Sequence, residues 1–181
     1  MITVYTFDNV KSIAKELKTN KKAAIIETDT VMGIIALNPD LIYKIKQRPK
    51  NKQLVTFVSS ISQIKGLTAK EKNILKHYIP GPLTIVKNNI AYRIPNHKDA
   101  VSLIKLTGPI YSSSANISNC EPVADIDEAI KAFNKNKDKI IFVDGKNLSH
   151  IPSTIVDLDK YKIVREGPIE GKRLLKELWK K

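Results

Sequence analysis

Three short stretches of this 181-residue chain carry residue types that can do chemistry. In Tyr111-Ser112-Ser113-Ser114-Ala115-Asn116-Ile117-Ser118, hydroxyls and an amide crowd together just after Gly108-Pro109. Ile110-Tyr111 reads as a short buried strand that gives way there to a loop, and in open α/β sheets ligands bind at such strand ends. Ser offers one donor and two lone pairs, and Asn offers donors and acceptors, which suits a polar substrate rich in oxygens. The same residues also suit turns and helix caps. In Lys46-Gln47-Arg48-Pro49-Lys50-Asn51-Lys52, four residues are basic and none is acidic. Pro49 biases Arg48 out of helical geometry, so Lys46 and Arg48 are expected to converge on one anion from an extended segment. An exposed basic turn fits this segment equally well. Arg93 lies inside the apolar run Ala91–Pro95, where it must reach solvent or an anion, because a buried lone charge is costly.

The arginines are informative because they are scarce. Of 31 basic residues 27 are Lys, and Arg occurs only at Arg48, Arg93, Arg165 and Arg173. A guanidinium binds phosphate or carboxylate through a planar fork that Lys cannot copy. Arg173 sits in a basic helical tail and reads as surface. The other three are candidates for an anion site.

Other chemistries are missing. There is no G-x-x-x-x-G-K-[ST] and no G-x-G-x-x-G, so phosphates would be held by side chains, namely Lys46 and Arg48 with Arg93 and Arg165. His77, His97 and His150 show no metal-ligand spacing. His77 reads as surface, and His97, four residues after Arg93, is the stronger candidate. One cysteine, Cys120, excludes an internal disulfide or a Cys-based zinc site and fits a reducing compartment. Excess cation without paired acid argues against two-carboxylate hydrolysis and suits transfer at a phosphoryl group, which needs positioning and charge neutralisation. A net charge of +13 with pI near 9.7 favours a nucleotide, RNA or acidic protein as partner, although solvated lysines produce the same total. The first residues lack a signal-peptide pattern and no run approaches a membrane span, so the expected location is cytoplasmic with no membrane partner.

The elements that must position these residues follow from periodicity. Asp8 is expected to cap a helix with Val10, Ile13, Ala14 and Leu17 on one face. Ala23–Ile26, Ile34–Leu37, Leu54–Val58, Leu83–Val86, Ala91–Pro95, Ile140–Val143, Ser153–Asp157 and Tyr161–Arg165 read as strands. Pro39-Asp40 opens a helix through Ile42 and Ile45. Thr68-Ala69-Lys70-Glu71 is a capping box, and Asp125 to Glu128 repeats its spacing. Helices are also expected over Ala100–Leu106 and Gly171–Lys181. Asn88-Asn89 has hairpin length. Helices and strands intermix without repeats or linkers, which points to one α/β domain over residues 1–181 with a mixed sheet.

Taken together, the chain resembles the YrdC-like threonylcarbamoyl-AMP synthases of the short single-domain bacterial type, from about Ala23 to Pro168. Thr28-Asp29-Thr30-Val31-Met32-Gly33 resembles T-[DE]-T-V-Y-G, and Lys46-Gln47-Arg48-Pro49 resembles K-x-R-P. Pro80-Gly81-Pro82-Leu83-Thr84 resembles P-G-P-x-T, and Arg93-Ile94-Pro95-Asn96-His97 resembles R-x-P-x-H. Ser114-Ala115-Asn116-Ile117-Ser118 resembles S-A-N-x-S, Ser153-Thr154-Ile155-Val156-Asp157 resembles S-T-I-V-D, and Arg165-Glu166-Gly167 resembles R-x-G. The resemblance implies a twisted, mixed open sheet flanked by helices, with a basic concave pocket. It implies a nucleotidyltransferase that turns ATP, bicarbonate and L-threonine, with Mg²⁺, into threonylcarbamoyl-AMP and pyrophosphate. A partner transferase would then modify the adenosine next to the anticodon of certain tRNAs. Lys46, Arg48, Ser114 and Asn116 match the family's functional tetrad. Arg48, Asn116 and Arg165, with Lys52, would face the nucleotide. Thr30, Arg93, Ser114 and Ser153 would hold threonine or its carbamate.

The chain departs from the family pattern at Met32 for an aromatic residue, Gln47 and Asn119 for Gly, and Phe57 for a His of longer members. It ends soon after Arg165, so a more open pocket is expected. Two other readings are compatible with the residues. One is a non-enzymatic module binding tRNA or other double-stranded RNA, although aromatics at 6% are sparse for stacking. The other is a former of a different carbamoyl-adenylate.

Overall fold

Short apolar runs become strands here because each pairs with a neighbour in the sheet, all but the two edge strands on both sides. The computed structural model describes residue 2, residues 4–145 and residues 149–180. The strands are β1 Val4–Thr6, β2 Ala23–Ile26, β3 Gly33–Ala36, β4 Val55–Phe57, β5 Leu83–Lys87, β6 Ile90–Arg93, β7 Ile110–Ser114, β8 Ile140–Asp144, β9 Thr154–Asp157 and β10 Lys162–Arg165. They form one sheet in the order β1-β8-β2-β3-β7-β4-β6-β5-β9-β10. Pairing is parallel for β1–β8, β8–β2, β4–β6 and β5–β9, and antiparallel elsewhere, so the sheet is mixed. Asn88 and Asn89, with φ of 50° and 57°, turn β5 into β6 as the hairpin spacing predicts.

The helices start where their caps dictate. In α2 Pro39–Lys46, the Asn38 side chain accepts from the Asp40 N–H at 3.0 Å, and Pro39 opens the first turn. In α3 Ala69–Leu75, Thr68 and Glu71 exchange bonds of 3.1 and 2.7 Å as a reciprocal box. In α5 Ile126–Ala132, Asp125 accepts from the Glu128 N–H at 2.8 Å. The first helix, α1 Val10–Lys18, differs from expectation: Asp8 lies in a 3-10 turn, Phe7–Asn9, and no side chain caps the helix. The remaining helices are α4 Lys98–Thr107 and α6 Gly171–Trp179. The last residue of the predicted tail helix, Lys181, falls outside the described residues. No helix among the described residues is long and apolar enough to cross a membrane.

Strand alternation decides which face each helix covers. Ala23 and Ile25 point to a core with Ile42, Ile45, Ala129 and Phe133, under α2 and α5. Ala24 and Ile26 point the other way, to Ile13, Leu17, Leu103 and Ile104 of α1 and α4. In the other half of the sheet, Leu83, Ile85, Tyr92 and Val156 pack with Leu75, Leu174 and Leu178 of α3 and α6. Their alternate neighbours Thr84, Arg93 and Ile155 face the wall of an open cleft. Leaving that face without a helix is what makes room for a site.

Two local expectations are corrected. The serines do not begin a loop after Tyr111. Ser112, Ser113 and Ser114 belong to β7, where Ser114 pairs with Gly33 and Ser112 with both Ile35 and Val55. Ladders on both sides outweigh the turn preference of serine. Nor does Lys46 lie in an extended segment. It closes α2, Gln47 takes a left-handed φ of 51°, and its N–H bonds the Tyr43 and Lys44 carbonyls. Arg48 is non-helical, as Pro49 requires.

Candidate functional site

The cleft encloses about 250 Å³, just under the lower end of small-molecule sites. Its wall includes Thr28, Thr30, Arg48, Phe57, Thr84, Arg93, Ser114, Ser153 and Arg165. Sequence elements 130 residues or more apart thus meet on one sheet face, since Thr30 follows β2 and Arg165 ends β10.

Arg93 is 94% buried and has found its anion. Its Nη2 donates to Asp29 Oδ1 at 2.5 Å, its Nη1 to Thr30 Oγ1 at 2.8 Å and its Nε to the Gly81 carbonyl at 3.3 Å. Its Cζ lies 5.7 Å from the Phe57 ring centre, a cation–π contact. Burial pulls the guanidinium below its ordinary pKa, and Asp29 opposes this. Arg93 is therefore charge-matched and fixed. Thr30 is fully buried and shares its hydroxyl with Thr28 Oγ1 at 3.1 Å.

Arg48 and Arg165 are different. Arg48 is partly buried and Arg165 is exposed, and among the described residues neither has a carboxylate within ion-pair distance. Arg48 donates from Nε to the Lys52 carbonyl at 3.1 Å and from Nη2 to the Gln53 carbonyl at 2.9 Å. Arg165 donates from Nε and Nη2 to the Ser153 carbonyl, at 2.9 and 2.7 Å. Nη2 also reaches Ser153 Oγ at 3.2 Å, and that hydroxyl shares a proton with Thr84 Oγ1 at 2.9 Å. Burial lowers the pKa of both arginines. Their charge remains uncompensated and available to an anion.

Ser114, Asn116 and Lys46 form a connected group at the end of β7. Ser114 Oγ donates to Asn116 Oδ1 at 2.7 Å, and Asn116 Nδ2 donates to the Cys120 carbonyl at 2.5 Å. Lys46 Nζ donates to the Ser114 carbonyl, to the Asn116 carbonyl at 2.6 Å and to Asn116 Oδ1 at 2.7 Å. Burial, reinforced by the Arg48 charge, pushes the Lys46 ammonium down to about 7.

The structure thus gathers Thr30, Arg48, Arg93, Ser114, Ser153 and Arg165 on the cleft wall, with Lys46 and Asn116 bonded behind Ser114. Two expectations fall elsewhere. Lys52 is exposed, and its ammonium bonds Asn119 Oδ1 at 3.0 Å instead of lining the cleft. His97 is buried as the cap of α4, with Nδ1 accepting from the Ala100 N–H at 3.3 Å and the ring beside Phe7. Asp29 and Thr84 were missed by sequence reasoning. The need of a buried Arg93 for an anion was the signal for Asp29, and the motif Pro80-Gly81-Pro82-Leu83-Thr84 was the signal for Thr84.

The donor set also bears on magnesium. Hydroxyls line the cleft, no carboxylate does, and the described residues contain no cluster of three or more His, Cys, Asp or Glu. Magnesium prefers carboxylates, phosphates and water, so these residues do not build a resident metal cage.

Comparisons with known proteins place this geometry. A model of the Sua5, YciO and YrdC family, described as telomere recombination, matches residues 16–167. An uncharacterized protein of Mycoplasma genitalium is 30% identical over 99% of this chain, which spans 40% of that protein's length. A Methanocaldococcus jannaschii protein provisionally named threonylcarbamoyl-AMP synthase is 34% identical, over 86% of this chain and 84% of its own. The crystal structure of Pyrococcus abyssi Sua5 complexed with L-threonine superposes with a TM-score of 0.85 at 23% identity, over 98% of this chain and 61% of that one, which shows a shared fold.

Proposed function

This chain belongs to the Sua5/YciO/YrdC family, and from that we propose that it makes threonylcarbamoyl-AMP from L-threonine, bicarbonate and ATP. The observation that carries the proposal is the pair of guanidiniums, partly buried Arg48 and exposed Arg165, lining one hydroxyl-rich cleft without a carboxylate partner among the described residues. Such a site attracts a polyanion and leaves neutral hydroxyls for the smaller substrate. The M. jannaschii relative carries the synthase name, and the P. abyssi structure holds L-threonine.

The chemistry balances with little demand on the protein. The threonine amine forms a bond to the carbon of bicarbonate, and water leaves, giving a carbamate. A carbamate oxygen then attacks the α-phosphorus in line, and the bond to pyrophosphate breaks. In this reading Arg48 and Arg165 hold the nucleotide and offset charge that grows on the phosphoryl oxygens, and Asn116 fixes the turn that carries Ser114. Thr30, Ser114 and Ser153 supply hydroxyls to threonine or its carbamate, and Arg93, already matched by Asp29, shapes that end of the cleft. Holding the reactants aligned does most of the work, and no dedicated base is required. The adenylate would pass to a partner transferase acting on the adenosine next to the anticodon of tRNA.

The test is pyrophosphate release from Mg–ATP and bicarbonate, with and without L-threonine. Wild type should release pyrophosphate only with threonine, and Arg48→Ala should lose about 100-fold or more in kcat/KM, the scale of a lost charge-assisted contact. A folded, ATP-binding wild type that releases none at any threonine concentration would sink the reading.

A further inference from the structure

Lys46 lies in one of the family-like motifs but does not line the cleft. Its side chain is 0% exposed, and it is absent from the cleft wall that Arg48 and Ser114 share. An ammonium has three N–H donors. All three are spent, on the Ser114 carbonyl, the Asn116 carbonyl and Asn116 Oδ1. None of these acceptors is a carboxylate. The Lys46 carbonyl in turn accepts from the Ser118 N–H at 2.9 Å, so residue 46 braces the turn through both side chain and backbone.

The turn needs such a brace. Where the chain leaves β7, three oxygens converge, and without a donor their lone pairs would face one another in a space closed to water, which is costly. The cation gathers them. Asn116 Oδ1, held by Lys46, also accepts from Ser114 Oγ, and Asn116 Nδ2 is thereby aimed at the Cys120 carbonyl. The orientation of Ser114 at the cleft thus depends on Lys46 at one remove. For Lys46 to touch a phosphate, Nζ would have to give up at least one of its three partners.

We infer that Lys46 is a positioning residue, which builds the Ser114–Asn116 turn from behind the cleft and acts on substrate only through it. The inference rests on reading the cleft as a nucleotide site, and its test separates the two. Acetylation of lysine amines by a small reagent, followed residue by residue by mass spectrometry, is run on the wild type with and without Mg–ATP. Lys46 should stay unmodified in both states while exposed Lys52 is modified. In parallel, ATP affinity and steady-state kinetics are measured for folded Lys46→Met, Asn116→Ala and the double variant. Each single change should weaken ATP binding by about tenfold or more and divide its effect between KM and kcat in the same ratio, and the double variant should lose no more than the worse single. Lys46 modified in the free protein and protected by Mg–ATP would overturn the inference, as would single losses that multiply in the double variant. Should Lys46→Met fail to fold, the wild-type footprint still decides. A wild type that binds no ATP but keeps Lys46 unreactive removes the nucleotide reading and supports Lys46 as the builder of the turn.

Discussion

At the scale of single residues, the three cleft arginines divide by partner. Arg93 is buried against Asp29, whose carboxylate is its counter-charge, whereas Arg48 and Arg165 rest only on neutral oxygens. Removing one member of a buried pair strands the other charge, at about 3–5 kcal/mol. Asp29→Ala should therefore lower the urea midpoint by an amount on that scale, while Arg165→Ala, exposed and unpaired, should cost under about 1 kcal/mol yet weaken ATP binding. Equal stability losses in the two variants would show that the pair is not what holds Arg93. Phe57 belongs to the same account. Its ring packs against the Arg93 guanidinium.

At the scale of elements, two residues with side chains share one backbone cost. Gln47 and Asn119 both have positive φ, 51° and 69°. Left-handed backbone costs a residue with a Cβ about 1–2 kcal/mol, and Asn bears it better than Gln. Gln47→Gly should stabilise the protein by about 0.5–1 kcal/mol, after the extra freedom of Gly in the unfolded chain is deducted, and Asn119→Gly by less. Denaturation at unchanged m-value measures both; a destabilised Gln47→Gly would mean that the glutamine side chain supports the α2 terminus. The β7 strand makes the complementary point. Three consecutive serines look like a turn, and only the ladders with β3 and β4 turn them into a strand.

At the scale of the whole molecule, a net charge of +13 acts on any anion approaching the cleft. Raising KCl from about 50 to 500 mM shortens the screening length to a few ångströms. ATP affinity should then fall several-fold, while that of zwitterionic threonine should change little; a salt-independent ATP affinity would confine the attraction to contacts inside the cleft. The sequence by itself determined the mixed α/β class, the helix start at Pro39, the caps at Thr68 and Asp125 and the hairpin at Asn88-Asn89, because caps, periodicity and turn residues act within a few residues of one another. Only the tertiary structure decided that one sheet face stays open as a cleft, that Asp29 answers Arg93, that His97 is a cap and that Lys46 stands behind the site. Those facts depend on strands that are far apart in the chain and adjacent in the sheet, and burial is a property of the neighbours the fold brings in, which no local spacing records.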